Sequence, residues 1–356
     1  MHSMNENDRR VIGGVDAHAD THHAAVLDDR GELLQTRSFT VSVAGYRELL
    51  TWLGSFGQID RVGVESTGSY AAGLTRYLLG EGVRVLEVNQ PHAHTRRRRG
   101  KTDAIDAELA ARHALSLASI VTPKQTTGIV EAIRQLRVAR DSAIKSRSVA
   151  TVQLGDLILT APSELREQLA ARKTLKGKAG LCRRLRPDTQ SIDSPINAAR
   201  FALRSLARRI TLLDDEIAEL DTQLTPLVAT AAPRTTALLG ISTGHAGQLL
   251  LTAGQNIERL HSEGAFAALC GASPVPVASG KRGRYRLNPG GDRQANRALH
   301  MIVVCRLRYC PKTRAYAQRR TTEGKTKKEI IRCLKRYIAR EVYATLRHDL
   351  ASLSPS

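Results

Sequence analysis

The stretch that decides the fold is VIGGVD at residues 11–16, where an unbroken apolar run ends on the carboxylate of Asp16. A second apolar run, VGV at 62–64, ends in the same way on Glu65. Short apolar runs of this kind are typical of strands buried in a sheet. Because strand ends bring distant parts of a chain to one edge of a sheet, we expect Asp16 and Glu65 to lie close together.

Two more acids, Asp103 and Asp106, open a helix predicted over 102–116. Residues three apart share a helix face, so both carboxylates can point at one metal. Carboxylate oxygens are the ligands that Mg²⁺ prefers, and two such ions can clamp both sides of a phosphodiester displacement. The four acids therefore predict a Mg²⁺ site for nucleic-acid strand chemistry. The alternative, that Asp103 and Asp106 only favour the start of the helix electrostatically, stays open.

The hydrophobic pattern of the first third predicts a mixed α/β domain. Its predicted elements are strands at 11–16, 24–28 and 33–39, a helix at 46–53, a strand at 61–65, a helix at 70–79, a strand at 83–88 and a helix at 102–116. This is the ribonuclease H order, in which an antiparallel meander leads into parallel strands. In that layout the first strand, a central strand and the last helix meet at one edge.

The middle of the chain is predicted to be helical. A loose apolar repeat begins at Ile129, and a basic stretch at 172–186 precedes a second helix with a heptad repeat. The repeat consists of Leu203, Leu206, Ile210, Leu213, Ile217, Leu220, Leu224 and Leu227. Spacings of three and four favour a coiled coil, within one bundle, in an antiparallel hairpin with the first helix, or between subunits. Pro226 and Pro233 are predicted to end the segment.

The last third contains a candidate nucleophile, Ser279, in a predicted flexible Ser-Gly turn. The cations that follow it could neutralise a phosphate: Lys281, Arg282, Arg284 and Arg286. A serine hydroxyl is a poor nucleophile unless a base or a metal activates it, and spacing alone favours an ordinary loop serine. Two helices are predicted to close the chain, the second, at 325–350, strongly basic.

Charge and composition indicate the partner. The chain has 356 residues, with 54 Lys and Arg against 34 Asp and Glu, for a formal net charge of +20. Such a charge attracts polyanions. The sequence has no apolar run long enough to span a bilayer, so nucleic acid is favoured over a membrane. Five cysteines without a C-x-x-C pair argue against disulfides or structural zinc and fit a reducing cytosol.

A basic loop lies directly before the Asp103 helix and is predicted to hold a nucleic-acid backbone. Its cations are Arg96, Arg97, Arg98, Arg99 and Lys101. The loop does not predict an NTPase, because threonine occupies position 95, where the phosphate-binding loop needs glycine. The histidines His18, His22 and His23 are predicted to be surface or turn residues, with His22 able to approach the acidic edge.

Several motifs together carry a family resemblance over nearly the whole chain. They are GVDAH at 14–18, VESTG at 64–68, KTDAIDA at 101–107, and F-x-x-LCGASP at 266–274 followed by Ser279 and Gly280. In this order and spacing they resemble the DEDD-type insertion-sequence transposases, the IS one-ten family, which includes the Piv DNA invertase.

The resemblance implies a RuvC-like, ribonuclease H-like domain at 1–122, a coiled-coil helical region with a basic insert at 123–232, and a mainly helical transposase domain with a serine loop at 233–356. Position by position, it implies that Asp16, Glu65, Asp103 and Asp106 bind Mg²⁺ and that Ser279 is the nucleophile. The implied activity is recombination of donor and target DNA guided by a structured noncoding RNA, the bridge RNA. We expect a homo-oligomer, a dimer or higher, in the bacterial cytoplasm beside the nucleoid.

Two segments depart from the family pattern. The usual I-P-G-I-G turn reads LGISTG at 239–244, and the segment after Ser279, usually K-R-G-N-x-x-L-R, reads PGGDRQANRAL at 289–299. Its Asp292 adds a negative charge where phosphate contacts are expected. Two other functions stay open: a RuvC-like, structure-specific endonuclease with water as the nucleophile, and a nucleic-acid-binding protein without catalysis.

Overall fold

The structure, a computed structural model, describes residues 9–88, 102–116, 121–279, 282–286 and 288–353, with the backbone alone at 277–279 and 282–284. Its contacts divide the chain into two compact units. One contains the described residues up to Val130 and those from Gln248 onward, and the other spans Glu131–Gly247. The domain limits at 122 and 232 remain predictions. Among the described helices, none is both long and apolar enough to cross a bilayer.

The N-terminal part of the first unit is a five-stranded sheet in the order β3-β2-β1-β4-β5. The strands are β1 (Arg10–Ala17), β2 (Thr21–Asp28), β3 (Leu33–Thr40), β4 (Gln58–Glu65) and β5 (Val85–Val88). The first three pair antiparallel, and β4 pairs parallel with both β1 and β5. The helices are α1 (Val43–Gly54), α2 (Ala72–Gly80) and α3 (Asp103–Ser116). The predicted order of elements is confirmed, and most bounds differ by a few residues.

Two glycines let helix α3 lie directly against the sheet. A Cβ at Gly14 would come within 2.1 Å of the backbone nitrogen of Ala111, and one at Gly63 within 2.4 Å of the carbonyl oxygen of Ala110. Because only glycine leaves room for so close an approach of two backbones, the sequence GGVD on β1 does more than build a strand. It sets the position of the helix that carries Asp103 and Asp106.

The opposite face of the sheet packs against α1 and α2. The buried side chains of this layer include Leu49, Leu53, Leu74 and Leu78 on the helices, together with Val62 on β4. Helix α1 begins at Ser42, whose hydroxyl oxygen accepts a hydrogen bond from the Gly45 backbone nitrogen at 3.0 Å. The sheet is therefore covered on both faces, which leaves its edge at the ends of β1 and β4 as the place for polar chemistry.

The second unit is built on two long antiparallel helices. Its helices are α4 (Gly128–Thr160), which begins in the first unit, and α5 (Ser163–Ala170), α6 (Leu175–Cys182), α7 (Pro195–Ala231) and α8 (Pro233–Thr236). Arg140 on α4 pairs with Asp221 on α7, and Arg147, one heptad further along, pairs with Asp214, one heptad back. The heptad face of α7 therefore packs on α4 of the same chain.

The end of α7 agrees with the prediction at Pro233 and differs from it at Pro226. Pro226 lies inside the helix, which continues to Ala231, and Pro233 begins the next helix. A proline inside a helix removes one backbone hydrogen bond, but Leu224 and Val228 on either side of it are buried. Burial of these side chains offsets the lost hydrogen bond, so Pro226 does not end the helix.

The C-terminal part of the first unit is mainly helical. It contains α9 (Thr243–Ala253), which begins in the second unit, then α10 (Glu263–Leu269), a hairpin of β6 (Val275–Ser279) and β7 (Arg282–Arg286), and the helices α11 (Arg293–Tyr309), α12 (Pro311–Thr322) and α13 (Lys327–Ala351). The prediction of two closing helices is wrong, because three are present. Proline at the first position of a helix costs no backbone hydrogen bond, and Pro311 begins α12 immediately after Cys310.

Candidate active site

The acidic edge of the sheet is formed where β1 and β4 end. Val15 pairs with Val64 in the parallel register, so Asp16 and Glu65 are the next residues on two adjacent strands. Asp16 is only 8% exposed, and Glu65 is half-buried. The two residues therefore lie side by side at the ends of adjacent strands, as the strand-end argument predicted.

The backbone is strained directly after Glu65. Ser66 has a φ of 60°, and it is the only non-glycine with positive φ among the described residues. A residue with a side chain adopts this left-handed conformation at a cost of about 1 kcal/mol or more. Such strain concentrates at functional sites, and here it turns the chain sharply at the end of β4.

Helix α3 brings Asp103 to the same edge, where two histidines contact it. His18 Nε2 lies 3.2 Å from Asp16 Oδ2 and 3.4 Å from Asp103 Oδ1. His23 Nε2 lies 3.2 Å from Asp103 Oδ2, and its Nδ1 is 2.9 Å from the Ser38 hydroxyl. The structure thus joins Asp16 and Asp103 through the ring of His18.

The electrostatics of Asp16 place Asp106 in the same group of acids. Burial raises the pKa of Asp16, the contact with His18 lowers it, and the carboxylates of Asp106 and Asp103 raise it further. Asp106 is itself 2% exposed. Three buried or half-buried carboxylates therefore repel one another at this edge.

These residues fit a divalent cation. One ligand atom from each of Asp16, His18 and Asp103 lies within 4.8 Å of the other two. Carboxylate oxygens are hard ligands of the kind that Mg²⁺ binds, and imidazole is also a common ligand of transition metals. A cation at this position would reverse the repulsion that raises the pKa of Asp16.

The sequence interpretation missed the histidines that reach this edge. His23 pairs with Asp16 across β1 and β2, so it is His23 and not His22 that approaches the acids. His22 is fully buried, and its ring stacks 5.8 Å from that of Tyr46. Successive strand residues point to opposite faces, so the hairpin register alone could have separated His22 from His23.

Two other acids near this edge, Asp20 and Glu108, have different surroundings. Asp20 is exposed in the turn between β1 and β2. Glu108 is buried and accepts a hydrogen bond of 2.7 Å from Arg112 Nε, and Arg112 Nη1 also donates to the Gly31 carbonyl at 3.0 Å. Glu108 therefore stabilises the packing of α3 through Arg112.

Ser279 lies at the end of a strand, where a flexible turn was predicted. It is the last residue of β6, and its backbone pairs with that of Arg282 on β7. Arg286, at the other end of the hairpin, pairs with Val275 and is exposed. The side chains of Ser279, Arg282 and Arg284 are outside the described part of the structure. So are residue 281 and the predicted basic loop: Arg96, Arg97, Arg98, Arg99 and Lys101.

Asp292, the residue that departs from the family pattern, has a structural role. Its Oδ1 caps α11 by accepting hydrogen bonds from the backbone nitrogens of Gln294 (2.8 Å) and Ala295 (3.2 Å). Its Oδ2 accepts hydrogen bonds from Thr252 Oγ1 (2.7 Å) and Gln248 Nε2 (3.2 Å). The Asp292 carboxylate thus accepts four hydrogen bonds from groups of its own domain.

Comparison with known proteins adds independent evidence. A family model described as a transposase of the DEDD, IS110 type matches residues 13–161, and one described as a transposase of the IS116/IS110/IS902 family matches residues 234–318. The chain is also similar to the "Insertion element IS900 uncharacterized 42 kDa protein" of Mycobacterium paratuberculosis. The two are 23% identical over 388 aligned residues, which cover 95% of this chain and 96% of that protein. The first family match contains all four acids, and the second contains Ser279.

Proposed function

Because the chain belongs to the IS110 family of transposases and is therefore a DNA transposase, we propose that it recombines donor and target DNA under the guidance of a structured noncoding RNA. The observation that carries the proposal is the acidic edge, where Asp16 and Asp103 meet through His18 and where Asp106 acts on the pKa of Asp16. We interpret the domain around this edge as RuvC-like.

In this proposal Asp16, Glu65, Asp103 and Asp106 hold Mg²⁺. The bound ions supply positive charge beside the reacting phosphate and lower the pKa of a nearby hydroxyl. His18 and His23 orient the Asp103 carboxylate from two sides, as histidines and carboxylates commonly do around metal ligands. The strained turn at Ser66 holds Glu65 at the end of its strand.

Ser279 is proposed as the nucleophile. Its oxygen forms a bond to a DNA phosphorus while the bond from that phosphorus to one sugar oxygen breaks, and the sugar oxygen leaves as a hydroxyl with the proton that the serine gives up. The phosphoserine conserves the energy of the phosphodiester, so a new strand end can displace the serine without ATP. This agrees with the threonine at position 95 in place of an NTPase glycine.

Nucleic-acid backbone contacts are proposed at the basic segments. These are the loop at 96–101, the stretch at 172–186 and the cations after Ser279. The net charge of +20 supports phosphate contacts as the main source of affinity. A homo-oligomer would let the acids of one chain serve the serine of another.

The test is a protein–DNA adduct. We expect purified protein, incubated with Mg²⁺, DNA and the noncoding RNA from beside its gene, to give a Ser279-dependent covalent adduct on a denaturing gel. Ser279→Ala should remove the adduct, and Asp16→Asn should reduce it by at least a factor of about 100. Ser148→Ala is the matched control, since Ser148 is exposed on α4 in the second unit, which contains neither the acidic edge nor the serine hairpin, and its hydroxyl donates to the Ile144 carbonyl of the same helix at 2.8 Å. Strand cleavage that persists in Ser279→Ala would instead identify water as the nucleophile.

A further inference from the structure

The C-terminal part of the first unit contains a cavity of about 930 Å³ beside the serine hairpin. Its walls are the loop at 271–274, the base of the hairpin at Tyr285 and Arg286, the end of α12 at Arg320, Lys325 in the following loop, and one face of α13. The loop leads directly into β6, so one wall of the cavity is continuous with the strand that ends at Ser279.

The cavity has an excess of positive charge. Among the described residues, no carboxylate lies within ion-pair distance of the lining cations Arg286, Lys325, Arg332 and Lys335. Three other lining arginines do have partners. Arg336 and Arg340 share Glu263, whose pKa falls to about 2 mainly through its hydrogen bond to Arg336, and Arg320 pairs with Glu323.

A single acid, Glu329, lies among the lining residues that the structure describes. Its carboxylate is engaged at the start of α13, where Oε2 accepts hydrogen bonds from the Thr326 backbone nitrogen (2.9 Å) and the Thr326 hydroxyl (2.7 Å). This capping box fixes the direction of the carboxylate. Lys325 and Arg332 also attract this carboxylate and, after the two hydrogen bonds from Thr326, contribute to lowering its pKa. One acid among seven lining cations still leaves the cavity positively charged and able to bind an anion.

Lys335 is the most constrained of these cations. It is 6% exposed, and its ammonium donates a hydrogen bond of 2.8 Å to Asn296 Oδ1. Asn296 Nδ2 in turn donates to the carbonyls of Cys270 (3.1 Å) and Gly271 (2.8 Å). Burial, and then the charge of Arg332, lower the pKa of Lys335. A buried ammonium with only a neutral partner is unfavourable, so an anion in the cavity would stabilise it.

We propose that this cavity binds a phosphodiester group of the nucleic acid on which the transposase acts, with Lys335 and Arg332 as its principal ligands. Val275 and Ser279 lie four residues apart on β6, or about 13 Å at about 3.3 Å per residue. Strand β6 therefore leads from the cavity wall at Pro274 to Ser279. The subsite rests on the proposed function, and the anchored phosphate would set which bond reaches Ser279.

The test measures binding without catalysis. Labelled single-stranded DNA and RNA of the same sequence are titrated in EDTA at several salt concentrations, with fluorescence anisotropy as the readout. The slope of log K against log salt reports the number of phosphates contacted, at about 0.7 per phosphate for a single strand. We expect Lys335→Met to lower that slope by about 0.7 and to weaken binding several-fold at low salt. If the variant lowers the slope for DNA but not for RNA, the cavity binds DNA, and the reverse result identifies RNA.

Two further variants complete the design. Arg332→Gln keeps the contact between Lys335 and Asn296, so it separates loss of a phosphate ligand from loosening of the loop, and it should lower the slope to the same extent. Lys312→Met makes the same change at an exposed lysine on α12, outside the cavity lining, and should leave the slope unchanged. Wild-type slopes in both cavity variants, or an equal loss in Lys312→Met, would overturn the subsite. No strand is cut in EDTA, so this titration reports binding alone. Failure of the proposed subsite can therefore be distinguished from failure of the adduct assay, which tests the proposed function.

Discussion

At the scale of single residues, the buried carboxylate of Asp16 lowers the stability of the folded protein. Asp16 is buried beside two other carboxylates, which raises its pKa above the ordinary value of 3.8. A raised carboxyl pKa means that the folded protein favours the protonated acid, so the ionised form costs stability. This loss of stability begins as the pH rises above the ordinary pKa of 3.8, and it is complete once the pH exceeds the raised pKa of Asp16. A bound cation removes it.

We therefore expect Asp16→Asn to increase the free energy of unfolding in EDTA near neutral pH by about 1 kcal/mol. The gain should shrink as the pH falls through the raised pKa and vanish below 3.8. Mg²⁺ should stabilise the wild-type protein but have little effect on the variant. Urea denaturation with and without Mg²⁺ measures both effects. Asp20→Asn, at an exposed acid four residues away, should change neither, and a variant less stable than wild type in EDTA would contradict the interpretation.

At the scale of elements, the closeness of α3 to the sheet decides whether the acids meet. Gly14→Ala would put a Cβ 2.1 Å from the Ala111 nitrogen and 2.3 Å from the Ala107 carbonyl oxygen. Because these are backbone atoms, the helix must move, and we expect a loss of about 3 kcal/mol in stability with a larger loss of Mg²⁺ affinity. Gly54→Ala is the matched control, since its Cβ would meet no atom within 4 Å. Thermal unfolding and metal titration measure the two effects.

The pairing of α4 with α7 is testable by exchanging charges. Arg140 makes two hydrogen bonds to Asp221, at 2.5 and 3.0 Å. Arg140→Asp alone should lower the free energy of unfolding by about 1 kcal/mol, because the new carboxylate would face that of Asp221. Adding Asp221→Arg should restore most of that loss. Chemical denaturation of the two single variants and the double variant gives the coupling energy. A coupling of zero would mean that the two helices do not pair in this register.

At the scale of the whole molecule, the five free cysteines report on the tertiary structure. Cys182 and Cys270 are buried, and burial raises the pKa of Cys182 to about 11. Cys310 is partly exposed, and hydrogen bonds from Thr313 lower its pKa. Thiolate is the reactive form, so iodoacetamide should label Cys310 first and leave Cys182 and Cys270 unmodified until the protein unfolds. Peptide mass spectrometry measures the order, and early labelling of Cys270 would contradict the packing of α10.

Much of the architecture was predictable because it follows from local pattern. Buried strands, amphipathic helices and a strand end occupied by an acid each leave a signal within a few residues, so the element order and the position of Asp16 and Glu65 at neighbouring strand ends could be predicted. The hairpin at Ser279 and the continuous α7 through Pro226 could not. In α7, burial of Leu224 and Val228 overrides the helix-breaking tendency of Pro226. At Ser279, the antiparallel pairing of β6 with β7 extends the strand into residues predicted to form a turn.

The sequence by itself determined the charge, the strand–helix order and the four acids, because these are properties of neighbouring residues and of composition. Only the tertiary structure decided that His18 and His23 face Asp103, that His22 does not, and that Lys335 lies buried in a cationic cavity. Those outcomes depend on strand register and on how closely a helix can approach a sheet. A side chain's neighbours in space are set by the packing of the whole unit, which no single stretch of the chain contains.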